Sequence, residues 1–145
     1  METPLVSLPD LFPATRTAVL IDSPVEVAMR VVILDFQGTL TPLPDPVAFV
    51  QALQAQGDFV ILWSGSPTSH IEDRVPGLLD AVDFFLGKPA PLLDAVKACP
   101  QPPTEVVVVD DQEYIGYAAT RYGRTRPEEW RYVPAADILR LQGLN

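Results

Sequence analysis

Cysteine is nearly absent from this chain, since Cys99 is the only one among 145 residues. A single cysteine cannot form a disulfide within the chain, which excludes a disulfide-stapled secreted scaffold and favours a cytoplasmic location. Long apolar runs are also lacking, so the sequence predicts no transmembrane helix and no membrane partner. The first residues have no basic start followed by an apolar core, and they do not resemble a secretion signal.

Positive charge is scarce as well. Ten lysine and arginine residues face 19 acidic ones, which gives a formal net charge of −9 at pH 7. This balance opposes non-specific binding to nucleic acid and to anionic membranes. A phosphorylated substrate remains compatible with it where a metal ion and a lysine offset the charge locally. The composition leaves the oligomeric state open, a homo-oligomer included.

Proline is abundant, with 16 residues that cluster near the start of the chain and in two later loops. Residues 1–28 are predicted to form a proline-rich N-terminal arm that could include an extra strand at 17–22. Residues 29–145 are predicted to form one domain, because 48% of the chain is hydrophobic and the length suits a single core.

Five apolar runs predict strands, and helical patterns separate them. The strands are VVIL before Asp35, FVILWS at 59–64, DFFLG at 83–87, EVVVVDD at 105–111 and WRYVP at 130–134. Helices are expected at 46–56, after Pro67, at 91–99, at 112–123 and from 135 onwards. Strands that alternate with helices indicate an α/β fold, a three-layer sandwich around a mainly parallel, Rossmann-like sheet.

Polar residues follow four of these strands at the point where each strand ends: Asp35, Ser64, Lys88 and the pair Asp110–Asp111. Taken singly, each would more often be a loop cap, a turn former or a solvated side chain. Ligands of parallel sheets bind at the carboxyl ends of strands, so together these residues indicate one site. Carboxylates, a hydroxyl and a lysine suit phosphoryl transfer, and acids from separate strands imply a cation, for which oxygen ligands favour Mg²⁺.

The blocks VVILDFQGTLT, VILWSGS, GKP and VVVVDD, in this order over residues 31–123, resemble the motifs of the haloacid dehalogenase superfamily. Most members of that superfamily are Mg²⁺-dependent phosphatases. The resemblance implies that Asp35 is the nucleophile and a metal ligand, and that the backbone carbonyl of Gln37 faces the metal. It also implies Asp111 as the direct metal ligand, with Asp110 as a second ligand or an outer partner.

The same resemblance assigns phosphate-binding roles. Thr39 would brace the loop, Ser64 and the Gly65 N–H would bind phosphate, and Lys88 would link the nucleophile to the phosphoryl group. The blocks are too close together for the cap domain that many members insert. The resemblance therefore implies an open site that suits a bulky or macromolecular phosphorylated substrate.

Gln37 departs from the family pattern, because the phosphatase members carry an aspartate there as general acid. Glutamine has no proton to give at neutral pH, and acid–base assistance is typically worth roughly a hundred- to ten-thousand-fold in rate. The sequence therefore leaves two hypotheses: a slow or specialised Mg²⁺-dependent phosphohydrolase working through an aspartyl-phosphate, and a non-catalytic binding or scaffold protein. His70 is a candidate replacement acid, although a solvated helix residue is the simpler interpretation.

A receiver domain of two-component signalling offers similar residue types in a different order. In receivers the acidic pair follows the first strand and the lysine follows the last one. Here GTLT follows Asp35, and Lys88 precedes the acidic pair. This order favours the dehalogenase-like interpretation.

Overall fold

The computed structural model of this protein describes residues 29–88, 96–113, 115 and 129–143. The strands are β1 (Arg30–Leu34), β2 (Phe59–Ser64), β3 (Phe84–Gly87), β4 (Glu105–Asp110) and β5 (Glu129–Pro134). The helices are α1 (Pro46–Ala55), α2 (Thr68–Arg74), α3 (Leu78–Ala81) and a 3₁₀ helix at Ala135–Leu141. The predicted arm at 1–28 and most of the helices predicted at 91–99 and 112–123 lie outside the described residues.

The five strands form one sheet in the order β3-β2-β1-β4-β5, and every neighbouring pair is parallel. The prediction of an α/β fold with a parallel sheet is therefore confirmed. The chain runs from β1 outwards to β2 and β3, and later returns to place β4 on the other side of β1. Such a reversal of strand order opens a crevice at the carboxyl ends of the two strands. In this sheet the crevice lies between β1 and β4.

Alternate residues of the strands enter two buried clusters. The first cluster packs against α1, α2, α3 and the 3₁₀ helix, and its strand residues include Val32, Leu34, Val60, Leu62, Val107 and Val109. The second cluster contains Val31, Ile33, Ile61, Val106 and Val108, together with Val96. Because both faces of the sheet are buried, the strands read as continuous apolar runs rather than as alternating ones.

Helix α1 begins and ends where its sequence predicts. The Asp45 side chain accepts a hydrogen bond from the Ala48 N–H at 3.0 Å, and proline occupies the first helical position. The helix ends just before Gly57, whose φ of 99° is reached at little cost only by glycine. Its buried face includes Phe49, Val50 and Leu53, and each such side chain contributes roughly 1.5–3 kcal/mol by leaving water.

Two expectations about helices need correction. One helix was expected between Ser64 and Lys88, but two short ones, α2 and α3, occur there and are separated at Gly77 (φ 88°). The segment from 135 to 141 is a 3₁₀ helix. Its buried residues, Ile138 and Leu141, are three apart, and a helix with three residues per turn places both on one side. Of the helices in the described ranges, none is long and apolar enough to cross a membrane.

Candidate functional site

Two buried carboxylates meet where the crevice opens. Asp35 directly follows β1 and Asp110 ends β4, and the two strands are hydrogen-bonded neighbours. The Asp35 N–H donates to the Val109 carbonyl oxygen at 3.0 Å, which extends the ladder by one residue beyond β1. Asp35 is 6% exposed and Asp110 is fully buried. Parallel pairing therefore brings together two acids that are 75 residues apart in the sequence.

Lys88 bridges these two acids. Its Nζ lies 3.1 Å from Asp35 Oδ1 and 3.1 Å from Asp110 Oδ2. The Lys88 N–H donates to the Ser64 carbonyl oxygen at 2.9 Å, which continues the pairing of β2 with β3 and fixes the base of the side chain. The ammonium also lies 4.5 Å from the ring centroid of Trp63, a distance typical of a cation–π contact. Lys88 is thus held inside the site and is not a free surface lysine.

The remaining oxygens of the two acids are also occupied. The Thr39 hydroxyl donates to Asp35 Oδ2 at 3.1 Å, and the Gln112 N–H donates to Asp110 Oδ1 at 2.8 Å. The Tyr132 hydroxyl donates to the backbone oxygen of Asp110 at 3.0 Å. Each carboxylate is therefore fixed by neighbours on both oxygens, and each oxygen keeps a further lone pair for a ligand.

Burial sets the protonation of this cluster. Loss of water raises the pKa of Asp35 from 3.8 to about 6, even though Lys88 and Thr39 favour the charged form. Burial likewise raises the pKa of Asp110, against the opposing effects of the Gln112 N–H and Lys88. Burial by itself would lower the pKa of Lys88, but its two acidic partners hold that pKa above its ordinary value. The cluster therefore has more negative charge than one lysine balances.

Asp111 completes a group of three acids. It is exposed, unlike the other two, yet each of the three offers a carboxylate oxygen within 4.8 Å of the others. Its carboxylate lies against Gly38 in the turn after β1, and a Cβ at Gly38 would overlap it. Gly38 also has a φ of 82°, which disfavours any other residue. Glycine at this position thus allows Asp111 to approach the end of β1.

The three acids fit a small divalent cation. They supply hard oxygen donors, and Mg²⁺ is commonly held by one or two carboxylates together with water. A cation would also offset the charge that Lys88 leaves unbalanced. The predicted ligands Asp35, Asp111 and Asp110 therefore lie together in the fold, and the predicted contribution of the Gln37 carbonyl stays a prediction.

The other predicted site residues surround this group. Ser64 is buried, and its Oγ accepts a hydrogen bond from the Ser66 N–H at 3.0 Å, which shapes the turn after β2. Gly65 in that turn is exposed, and a Cβ there would lie 3.9 Å from the Cβ of Lys88. Gln37 is exposed in the turn that follows Asp35. The structure thus places the turn after β2 beside Lys88 and leaves Gln37 open to solvent.

His70 lies close to the loop after β1. It is exposed on α2, and its ring meets the Phe36 ring edge-on, with centroids 6.2 Å apart. Phe36 stands between Asp35 and Gln37 in the sequence. The structure therefore brings His70, the candidate replacement acid, to the loop that follows Asp35, and its role stays a prediction.

Two residues of the site were not singled out from the sequence. Trp63 was assigned only to the strand FVILWS, yet its ring contacts the Lys88 ammonium. Tyr132 was assigned only to a strand, yet its hydroxyl holds the Asp110 backbone. Position at a strand end was an available signal for Trp63, which immediately precedes Ser64. No local signal marks Tyr132, because its contact depends on the pairing of β4 with β5.

Comparisons with known protein families, with curated proteins and with solved structures give no match for this chain.

Proposed function

We propose that this chain is a Mg²⁺-dependent phosphohydrolase of the haloacid dehalogenase-like type, acting on phosphate monoesters through an aspartyl-phosphate. The observation that carries the proposal is the bridge of Lys88 between Asp35 and Asp110 at the carboxyl ends of adjacent strands. Asp111 adds a third carboxylate within 4.8 Å. The replacement of the usual acid by Gln37 makes the activity slow or specialised.

In this mechanism an Asp35 oxygen attacks phosphorus, and the bond from phosphorus to the leaving oxygen breaks. The leaving oxygen takes its proton from water, because Gln37 cannot supply one. Lys88 lies 3.1 Å from Asp35 and is placed to neutralise charge on the phosphoryl oxygens. Ser64 and the Gly65 N–H are assigned to hold those oxygens. Bound Mg²⁺ would add further neutralisation beside Asp35, Asp110 and Asp111.

The second half of the reaction restores the enzyme. Water attacks the phosphorus of the aspartyl-phosphate, the bond to the Asp35 oxygen breaks, and inorganic phosphate leaves. Thr39 donates to the other Asp35 oxygen and keeps the carboxylate oriented in both halves. Orientation of a reacting group in this way lowers the entropic part of the barrier.

The finer fold assignment belongs to the same proposal. We assign the chain a three-layer, dehalogenase-like arrangement without a cap, in which α1 follows the nucleophile loop and two short helices follow the turn after Ser64. An open site of this kind suits substrates that a cap would exclude. We also propose a cytoplasmic location, where Mg²⁺ and phosphorylated metabolites are available.

The test is a panel of phosphate monoesters assayed with Mg²⁺ and with EDTA. Turnover should require Mg²⁺ and should fall to background in Asp35→Asn, because that variant has no carboxylate nucleophile. Asp73→Asn, at an exposed position of α2, removes the same charge and should keep the wild-type rate. Turnover that survives in Asp35→Asn would place the activity elsewhere.

A non-catalytic binding protein is the second candidate, and the exposed glutamine at position 37 favours it. In that case Mg²⁺ and a phosphate analogue such as vanadate would bind to the wild type, while no ester in the panel is hydrolysed. Weaker binding of the analogue in Lys88→Met would then assign the binding to this site. Clear turnover of any ester in the panel would exclude this candidate.

A further inference from the structure

An apolar pocket of about 520 Å³ adjoins the acidic group. Gly38, Thr39 and Asp111 form its inner wall, and all three already belong to the site. Its outer wall is formed by Leu43 in the loop after β1, by Tyr132 in β5 and by residues of the 3₁₀ helix, including Leu139. Thr39 in this wall donates its hydroxyl hydrogen to Asp35 Oδ2 at 3.1 Å, so the pocket lies next to the carboxylate to which the proposed function assigns the phosphoryl group.

The charges around the pocket restrict what it can hold. Among the described residues that line it, Asp111 is the only charged one, and lysine, arginine and histidine do not occur. A second phosphate or a carboxylate on the substrate would meet no cation and would lie near Asp111. Burying such a charge without a partner is costly, so the pocket favours an uncharged group.

The size and continuation of the pocket indicate a group larger than one ring. A cavity of about 150 Å³ lined by apolar side chains holds benzene, whereas this pocket has about 520 Å³. Leu43 and Leu139 also line a second cavity of about 190 Å³, whose charged lining residue is again an acid, Asp45. Leu139 is 60% exposed, and among the described residues it is the one large hydrophobic side chain that is exposed to solvent.

Gln37 restricts the chemistry of the leaving group independently. A phenol ionises with a pKa of about 10, as tyrosine does, whereas an aliphatic alcohol is a far weaker acid, about as weak as water. A phenolate can therefore leave without a proton donor, and an alkoxide needs one. A site with glutamine in place of the acid retains activity mainly towards esters of phenols.

We infer that the pocket binds the leaving group of the substrate, and that this group is an uncharged phenol of at least two rings. The inference rests on the proposed function, because the phosphoryl group at Asp35 sets the position of the leaving group. The pocket would contact the rings through Leu43, Tyr132 and Leu139, and the bond that breaks would lie near Gly38 and Asp111.

The first experiment compares kcat/KM for four esters: phenyl, 2-naphthyl, 4-carboxyphenyl and benzyl phosphate. The 2-naphthyl ester should exceed the phenyl ester by at least about tenfold, since one extra methylene in an apolar pocket already has this effect. The 4-carboxyphenyl ester should be slower than the phenyl ester. Benzyl phosphate should be slower by about a hundredfold or more, because its alkoxide needs the missing acid. Equal rates for the phenyl and 2-naphthyl esters would overturn the inference.

Charge variants at Leu139 test whether the pocket makes this selection. Leu139→Lys should raise the preference for the 4-carboxyphenyl over the phenyl ester, and Leu139→Glu should lower it, with about a fivefold difference between the two. The side chain is exposed, so both variants should fold. Ala98→Lys is the matched control, because Ala98 is exposed and its neighbours Val96 and Cys99 pack on the other face of the sheet, so the preference should not change. An unchanged preference in both Leu139 variants would contradict the inference.

A binding measurement separates this inference from the proposed hydrolysis. Calorimetry with Mg²⁺ would compare benzylphosphonate with 2-naphthylmethylphosphonate, neither of which can be hydrolysed at the phosphorus–carbon bond. If no ester turns over but the naphthyl compound binds more tightly and Leu139→Glu or Ala136→Trp weakens it, the pocket is supported and the hydrolase proposal fails. If esters turn over but the two phosphonates bind equally well, the hydrolase proposal stands and the pocket inference fails.

Discussion

Replacement of Asp35 by Asn should change how the stability of the metal-free protein depends on pH. Burial raises the pKa of Asp35 from 3.8 to about 6, a shift of about 2 pH units. One pH unit corresponds to about 1.4 kcal/mol, so the shift is worth about 3 kcal/mol. The folded protein holds this proton more tightly than the unfolded chain. The contribution of Asp35 to the free energy of unfolding should therefore decrease as pH rises from about 4 to about 6, and it should stay lower above pH 6.

The variant cannot ionise at this position and should lack that decrease. The free energy of unfolding of the variant, minus that of the wild type, should therefore rise by about 2–3 kcal/mol between pH 4 and pH 7. A domain typically has only about 5–15 kcal/mol of stability, so an effect of this size is readily measured. The assay is urea unfolding in EDTA, followed by tryptophan fluorescence, at a series of pH values.

Asp73→Asn is the control for the loss of one negative charge, because Asp73 is exposed on α2. Addition of Mg²⁺ should reduce the pH-dependent difference for Asp35→Asn, because a bound cation stabilises the ionised carboxylate. A difference between variant and wild type that stays constant from pH 4 to pH 7 would refute the assignment of a raised pKa to Asp35. The burial argument would then be wrong for this site.

Three further predictions concern the loop after β1 and the acidic pair. Gln37→Asp should restore a general acid and a base for the attacking water. It should raise turnover of an activated ester by roughly a hundredfold in a steady-state assay, and turnover of benzyl phosphate by more, because only the alkoxide also needs the proton. No gain with Mg²⁺ still bound would favour the binding protein. Asp111→Ala should weaken Mg²⁺ binding in calorimetry more than Asp110→Ala does, and a reversed order would exchange the two roles. Gly38→Ala should cost about 1–2 kcal/mol in urea unfolding and also weaken Mg²⁺ binding, because a Cβ would displace Asp111. Gly57→Ala has a similar positive φ but open space around it, so it should lose stability and keep its Mg²⁺ affinity.

The sequence was a good guide to the strands and to α1, because local signals specify them. Continuous apolar runs marked the buried strands, and Asp45 and Pro46 marked the start of α1. Local signals failed where a short segment adapts to its surroundings. The split between α2 and α3 and the 3₁₀ form of residues 135–141 depend on how few side chains those segments bury against the sheet.

The candidate site shows the same division. The sequence by itself determined which residue types stand at the strand ends, and the rule for parallel sheets indicated that Asp35, Lys88 and Asp110 would lie near one another. Only the tertiary structure decided that one lysine bridges both acids at 3.1 Å and that Trp63 and Tyr132 hold the lysine and the Asp110 backbone. It also decided that Leu43 and Leu139, nearly a hundred residues apart, line one apolar pocket beside Asp111. The physical reason is that composition and spacing fix local conformation and strand identity, whereas contacts between side chains depend on the register and packing of elements distant in the sequence.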